Sequence, residues 1–441
     1  MSLTSLTTLG LAFFLTAVLT RFSPLRGWLR GFSVAPYGAT LLYLLFFGTF
    51  FLGGERSTDS QLLDPLRLGR IALFVLITAM AWLDLVLARK VKSSVNFVTW
   101  AMLLYGAIAM ATAGWSLNPT LTLWKGFEIV THVSVVAVIA RRVDGIKDAL
   151  DTLGLFWILL LYVTLSLILS VVISPQEALS HTIKGVAILQ GTALRVNPNT
   201  ATQLSALLLL VGISLAIAPP PNSNRWAIYV LMSLGAVVMF LAHSRTSIFA
   251  AAVAILLIAI ISRKYWILSL VLMVGTILLV SEEVSGPLKT YIMRGQTEEQ
   301  FQGLTGRVQI WEIVWSKFLE RPILGFGFYA GIRELYKMSA ADNTYLQVLM
   351  GGGVVLMTVF LIPIFTIAVQ LMRSRPSLSI LTSQPDYSLL WMQTACVFVL
   401  LIVRSVTGPS FDAHHNNLTL FLGCAVAASA LIRFRREGFR K

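Results

Sequence analysis

The sequence predicts an all-α, polytopic integral membrane protein with 12 or 13 transmembrane helices, and three observations carry that prediction. Of its 441 residues, 56% are hydrophobic and only 12% are charged. The mean hydropathy is +0.79, well above what a soluble domain with a polar surface carries. The apolar residues also come in runs of about 20, the length that crosses a bilayer at about 1.5 Å rise per residue. Residues 1–441 are therefore read as a single transmembrane domain, not as the two or three soluble domains that length alone would suggest.

The apolar runs are 3–20, 34–52, 71–88, 96–114, 126–140, 153–173, 199–218, 226–242, 247–262, 265–281, 344–371, 387–407 and 418–432. The first is the weakest. It lacks a basic n-region and a small-x-small cleavage site, so it reads as a retained segment and not as a cleaved signal. Cys396 and Cys424 fall inside apolar runs and imply no disulfide framework.

Charge sets the orientation. The chain has 34 Lys and Arg against 20 Asp and Glu. In a soluble protein this excess would raise nucleic acid as a partner. Here no nucleic acid is expected: the excess is topological, with the remainder available to anionic membrane lipids. One alternate set of connections holds 19 basic residues, from Arg21, Arg26 and Arg30 through Arg141, Arg142, Arg373 and Arg375 to the tail Arg433, Arg435, Arg436, Arg440 and Lys441. The short connections of the other set hold 7: Arg56, Arg67, Arg70, Lys125, Lys184, Arg195 and Arg245. The positive-inside rule makes the first set cytoplasmic, with the C-terminal tail. Residues 282–343 form the one long connection, outside, with short amphipathic helical patterns. It is too long for a mere connector and is expected to be functional.

Four polar motifs fall on the outer side. The first is Gly191-Thr-Ala-Leu-Arg195-Val-Asn197-Pro-Asn199, where Pro198 and the asparagines suit a turn and a helix start. The second is the tight hairpin His243-Ser244-Arg245-Thr246-Ser247. A serine or threonine there suits a helix cap, but an outer arginine at a two-helix junction runs against the charge rule and favours a role for Arg245. The third is Thr305-Gly306-Arg307, followed by Ile310, Trp311, Val314, Trp315 and Phe318 on one helical face, and then Arg321-Pro322-Ile-Leu-Gly325-Phe-Gly327. That face reads as an amphipathic helix lying on the membrane with Trp at headgroup depth. The fourth is Asp342-Asn343-Thr344-Tyr345-Leu346, followed by Gly351-Gly352-Gly353. Asp342 suits a helix N-cap, and the glycines permit close packing or a kink.

Arg404 lies inside an apolar run near its outer end. An intramembrane arginine is a site hypothesis by default, although one near an end also has the option of snorkelling. Glu128 and His132, spaced i and i+4, are expected to pair with one another, and His414 and His415 to face solvent. There is no P-loop, no H-E-x-x-H and no paired C-x-x-C, so neither a nucleotide site nor a metal site is expected, and no cofactor. An enzyme facing outward has no ATP supply, so its donor must arrive activated.

In this order, a G-(x)n-N-P-N turn, S-R-T in a hairpin, G-R-x-x-I-W, P-x-x-G-x-G and D-N-x-Y-L with a glycine turn resemble the O-antigen ligase and polymerase superfamily. It includes O-antigen polymerases, exopolysaccharide polymerases and lipopolysaccharide ligases. The motifs cover roughly residues 190–355. The resemblance implies a GT-C-like helical fold and a metal-independent glycosyltransferase of the bacterial inner membrane. It implies transfer of a glycan from undecaprenyl diphosphate to an acceptor at the periplasmic face, with a chain-length regulator as a further partner. It also implies that Arg245 and Arg307 contact the diphosphate and that Asp342 takes a position often held by a catalytic histidine. A carboxylate is a weaker base than an imidazole, so Asp342 either is strengthened by burial or orients the acceptor while the leaving group carries the reaction. The Asp-Asn form looks more like polymerases than ligases. Polymerisation of lipid-linked repeat units is the leading expectation, with ligation to lipid A-core second and transport of the lipid-linked sugar third. Arg195, Asn199, Ser244, Asn343 and Arg404 complete the expected substrate-binding set. Transport is disfavoured because such proteins place polar residues near the midplane, whereas these gather at one face.

Overall fold

A computed structural model describes residues 3–22, 25–52, 65–87, 97–181, 187–194, 196–221, 223–265, 269, 306–336, 338, 340–408, 410–411 and 415–438. The helices run α1 (Leu3–Leu19), α2 (Arg26–Val34), α3 (Pro36–Phe50), α4 (Pro65–Leu87), α5 (Phe97–Ala111), a 3-10 turn (Thr112–Trp115), α6 (Pro119–Ala140), α7 (Ile146–Ile173) and the short α8 (Pro175–Ala178). Two three-residue strands, Leu179–His181 and Ala187–Leu189, then pair antiparallel. The chain continues as α9 (Pro198–Ile217), α10 (Arg225–Ala242), α11 (Arg245–Ile261), α12 (Arg307–Phe318), α13 (Ala330–Tyr336), α14 (Thr344–Arg373), α15 (Leu378–Ser383), α16 (Pro385–Ser405) and α17 (His415–Gly438).

The fold is thus all-α and polytopic, with one small ladder that the apolar pattern did not announce. Among the described residues nine helices are long and apolar enough to cross a membrane, or ten if α2 and α3, bent by 108°, form one span. The bend falls where Pro36 opens α3, since the residue before a proline is driven out of the helical region. Helices α1 and α11 are shorter and apolar. Of the predicted run 265–281 only residues 265 and 269 are described, and 282–305 of the long connection lies outside the described residues. Helices α4, α6 and α7 begin six or seven residues before their apolar runs, because a helix continues through a more polar first turn that hydropathy does not count. In α6 that turn is Asn118-Pro119, with the Asn118 side chain accepting from the Leu121 N–H.

The chain forms two compact units. One comprises Met1–Arg26, Trp157–Gln309 and Ser377–Leu400; the other comprises Gly27–Phe156, Ile310–Pro376 and Leu401–Lys441. In the first, α10 packs on α9 at two glycines. A Cβ on Gly235 would come 2.8 Å from the Ser205 carbonyl oxygen, and one on Gly212 would come 2.6 Å from Met232.

In the second unit the arginines counted as cytoplasmic gather at one end. Arg141 pairs with Asp84 at the ends of α6 and α4. Arg433 of α17 donates to the Val143 carbonyl at 3.0 Å.

At the other end of this unit the chain breaks α14 on purpose. Gly352 and Gly353 leave helical geometry inside it, with φ 64° and ψ −162° at Gly353. Four backbone groups around the break find partners in the Pro322–Gly327 segment. Val354 N–H donates to the Pro322 carbonyl (2.8 Å) and Val355 N–H to that of Ile323 (3.4 Å). In return, Phe326 and Gly327 N–H donate to the Met350 and Gly351 carbonyls, both at 2.9 Å. Kinks persist where orphaned backbone groups find such partners. The P-x-x-G-x-G motif and the glycine triplet are therefore two halves of one joint. Gly353→Ala is expected to lose at least about 2 kcal/mol, because its backbone region is nearly restricted to glycine and its Cβ would stand 2.1 Å from the Ile323 oxygen. A thermal melt of the purified variant in detergent checks this, and a wild-type midpoint would refute it.

Candidate active site

The first unit brings together three of the polar elements. Asn197 caps α9, accepting from the Asn199 N–H at 2.9 Å, with Pro198 at the first helical position. The S-R-T hairpin is fastened to that helix start. Ser244 N–H donates to Thr202 Oγ1 at 3.1 Å, and Ser247 Oγ donates to the Asn199 carbonyl at 3.3 Å. Its sharp turn is made by His243, at φ 62°, which closes α10. The Ser244 side chain makes no capping bond to the backbone of α11. Its hydroxyl instead meets Thr246 Oγ1 and Ser247 Oγ, which corrects the expectation that Ser or Thr caps this helix. Arg195 lies outside the described residues.

Arg245 is the first residue of α11 and Arg307 the first of α12. Both side chains are half-buried. Burial, together with the neighbouring Arg307 guanidinium, holds Arg245 below its ordinary arginine value. Two guanidinium groups are thus held near one another, each at a helix N-terminus, where the backbone dipole adds about half a positive charge. Exposed N–H groups and a converging positive field are what an anion requires.

The second unit places the remaining candidates. The cap of α14 is Asn343, not Asp342: the Asn343 side chain accepts from the N–H groups of Tyr345 (2.9 Å) and Leu346 (3.1 Å). Asp342 stands one residue earlier, half-buried, with φ 50°. The sequence reading of Asp342 as the cap is therefore corrected, and the Asn343 side-chain oxygen is committed to the helix, which leaves its amide NH2 group for substrate. Arg404, only 4% exposed, does not snorkel. The turn after it is tied to the start of α14: Thr344 Oγ1 donates to the Gly408 carbonyl at 3.2 Å and accepts from Ser410 N–H at 2.8 Å.

The face of α12 expected on the membrane is largely spent on protein. Val314 is buried with Phe326, Ile332, Ala341 and Met350, and Ile310 packs against them. Trp311 Nε1 donates to the Ala341 carbonyl at 3.1 Å, next to Asp342. Trp315 alone of that face is largely exposed, at 48%. The helical period was read correctly but its partner was not, because the apolar partners lie 12 to 40 residues downstream.

Sequence reading also missed a buried charge cluster. Glu128 does not pair with His132. It accepts from Arg70 (2.6 Å) and Lys125 (2.8 Å), while His132 Nδ1 meets Thr419 Oγ1 at 2.9 Å. Arg70 lies over the Phe74 ring, and Lys125 over that of Tyr329. The available signal was two outer-side cations beside an acid in the same charge class of loops. His414 lies outside the described residues, as does the side chain of His415.

No curated protein matches the chain. Residues 227–361 match the family model described as O-Antigen ligase, a stretch running from α10 through the hairpin, Arg307 and Asp342-Asn343 to the kinked α14. Over those residues, less than a third of the chain, it is similar to that family, in line with the ligase and polymerase superfamily that its ordered motifs resemble.

Proposed function

We propose that this protein polymerises lipid-linked oligosaccharide repeat units, as a metal-independent glycosyltransferase drawing on an undecaprenyl-diphosphate donor at the periplasmic face of the inner membrane. That it is a membrane enzyme of the ligase and polymerase type rests on the domain at 227–361 and on the spanning helices. The observation that carries the reaction is the pairing of Arg245 and Arg307 at two helix N-termini.

The donor is already activated. The bond from the sugar carbon to the diphosphate oxygen breaks, the diphosphate leaves with the electron pair, and the acceptor hydroxyl supplies the new bond. Negative charge grows on the leaving oxygen, and guanidinium forks with fixed dipoles stabilise it without rearranging. Arg245 and Arg307 take that role, assisted by Arg195 and by Asn199 in the first turn of α9. Asp342 holds the acceptor hydroxyl and receives its proton as the bond forms, and Arg404 supports the acceptor side. The Asp-Asn form at Asp342 favours polymerisation over ligation, and its half-buried place just before the start of α14 supports a role towards substrate.

The test is to supply the purified protein with a lipid-linked repeat. A ladder of lengths is expected. Transfer of one preformed glycan to lipid A-core, with no ladder, would replace the polymerase reading with the ligase one.

A further inference from the structure

In the second unit the last two turns of α14 and the end of α17 form an open groove of about 680 Å³. Its lining divides sharply. Phe365, Val369 and Ile432 form an apolar wall, while Arg373, Arg435 and Arg436 stand at the rim with Thr366 and Gln370 between. The residues come from one face of each helix, spaced i, i+4, i+8 along α14 and i, i+3, i+4 along α17. Gln370 Oε1 is buried there without a hydrogen-bond partner. Arg433, in the same run as Arg435 and Arg436, does not line the groove, because its guanidinium is used on the Val143 carbonyl.

We propose that this groove binds the headgroup of an anionic phospholipid, of the phosphatidylglycerol type, at the end of the helices that the charge rule makes cytoplasmic. The three guanidinium groups would take the phosphate oxygens as forks. An acyl chain lies against Phe365, Val369 and Ile432, and Gln370 Oε1 accepts from a headgroup hydroxyl. Cations at helix C-terminal ends also complement the backbone dipole and set topology. Those roles, however, need neither an apolar wall nor three arginines around one space. Basic recesses between spanning helices at this side suit anionic headgroups. The proposal does not depend on the glycan-transfer reading.

The test uses the full chain in neutral detergent, titrated with dioleoyl-phosphatidylglycerol or dioleoyl-phosphatidylcholine, with retained lipid read by native mass spectrometry. Wild-type protein is expected to retain the anionic lipid and not the zwitterionic one. The triple variant R373Q/R435Q/R436Q is expected to bind it about tenfold more weakly or worse. A control with equal charge loss on the same predicted side, R142Q/R263Q/R375Q, keeps it. Val369→Trp, which fills the apolar wall but leaves every arginine, also loses it. Equal loss in both triple variants would reduce the effect to general surface charge. Retention by Val369→Trp, or equal competition by free glycerol phosphate, would equally overturn a lipid site.

Discussion

Arg245→Ala and Arg307→Ala are each expected to reduce glycan transfer by at least about 100-fold while leaving the melting temperature of the substrate-free protein unchanged or raised. The loss follows from charge stabilisation of the leaving diphosphate, where one strong donor is worth about 3–4 kcal/mol. The stability half follows from the same geometry with the opposite sign. Each arginine opens a helix, where the dipole disfavours a cation by about 0.3–1 kcal/mol. Burial and the Arg307 charge both work against protonated Arg245. These terms weigh against the charged pair, and a bound anion offsets them. Lysine at either position should give intermediate activity, since it keeps the charge but not the planar fork.

Two measurements separate this from a structural role: turnover with a lipid-linked donor, and a thermal melt with and without inorganic pyrophosphate. Wild type should melt higher with pyrophosphate by mass action, and the alanine variants should not. A variant that loses activity and also melts several degrees lower would make the arginine a structural residue and remove the diphosphate clamp.

The sequence made these arginines legible because topology and chemistry disagreed at them. Arg245 stands where the charge rule disfavours a cation, and an ordinary connector has no use for one. The helices were legible for a simpler reason, since a bilayer demands about 20 apolar residues and the runs are there to be counted. What stayed hidden depended on contacts between distant residues. The glycines of Gly325–Gly327 and Gly351–Gly353 announced turns or kinks separately. That each supplies hydrogen bonds to the other appears only once residues 24 to 32 apart are placed together. The capping of α14 was misassigned by one residue because Asp342 and Asn343 are equally good caps by composition. Left-handed backbone at Asp342 decided between them. Glu128 was paired with the wrong partner because helical spacing shows neighbours on one helix only. Arg70 is 58 residues away, on α4.

Glu128→Gln carries the largest stability effect expected. Glu128 is 1% exposed and holds two cations, Arg70 and Lys125. The two cations also lie over the ring faces of Phe74 and Tyr329, which stabilise them in part. Removing the carboxylate's charge leaves both cations desolvated beside one another. Breaking a buried ion pair from one side costs about 3–5 kcal/mol. The effect should spread to the joint that braces α14, because Lys125 stacks on Tyr329 and Thr122, on the same helix, donates to the Phe328 carbonyl. Glu128→Gln is therefore expected to melt well below wild type, with transfer per folded molecule retained. The double variant Glu128→Gln/Lys125→Met removes the excess charge and should recover part of the loss, so that the two changes fail to add. A melt of the single variant at the wild-type temperature would show that water reaches the cluster, and that its burial carries none of this cost. Additive losses in the double variant would show that Lys125 and Glu128 stabilise the protein through separate contacts, and that their 2.8 Å approach contributes little.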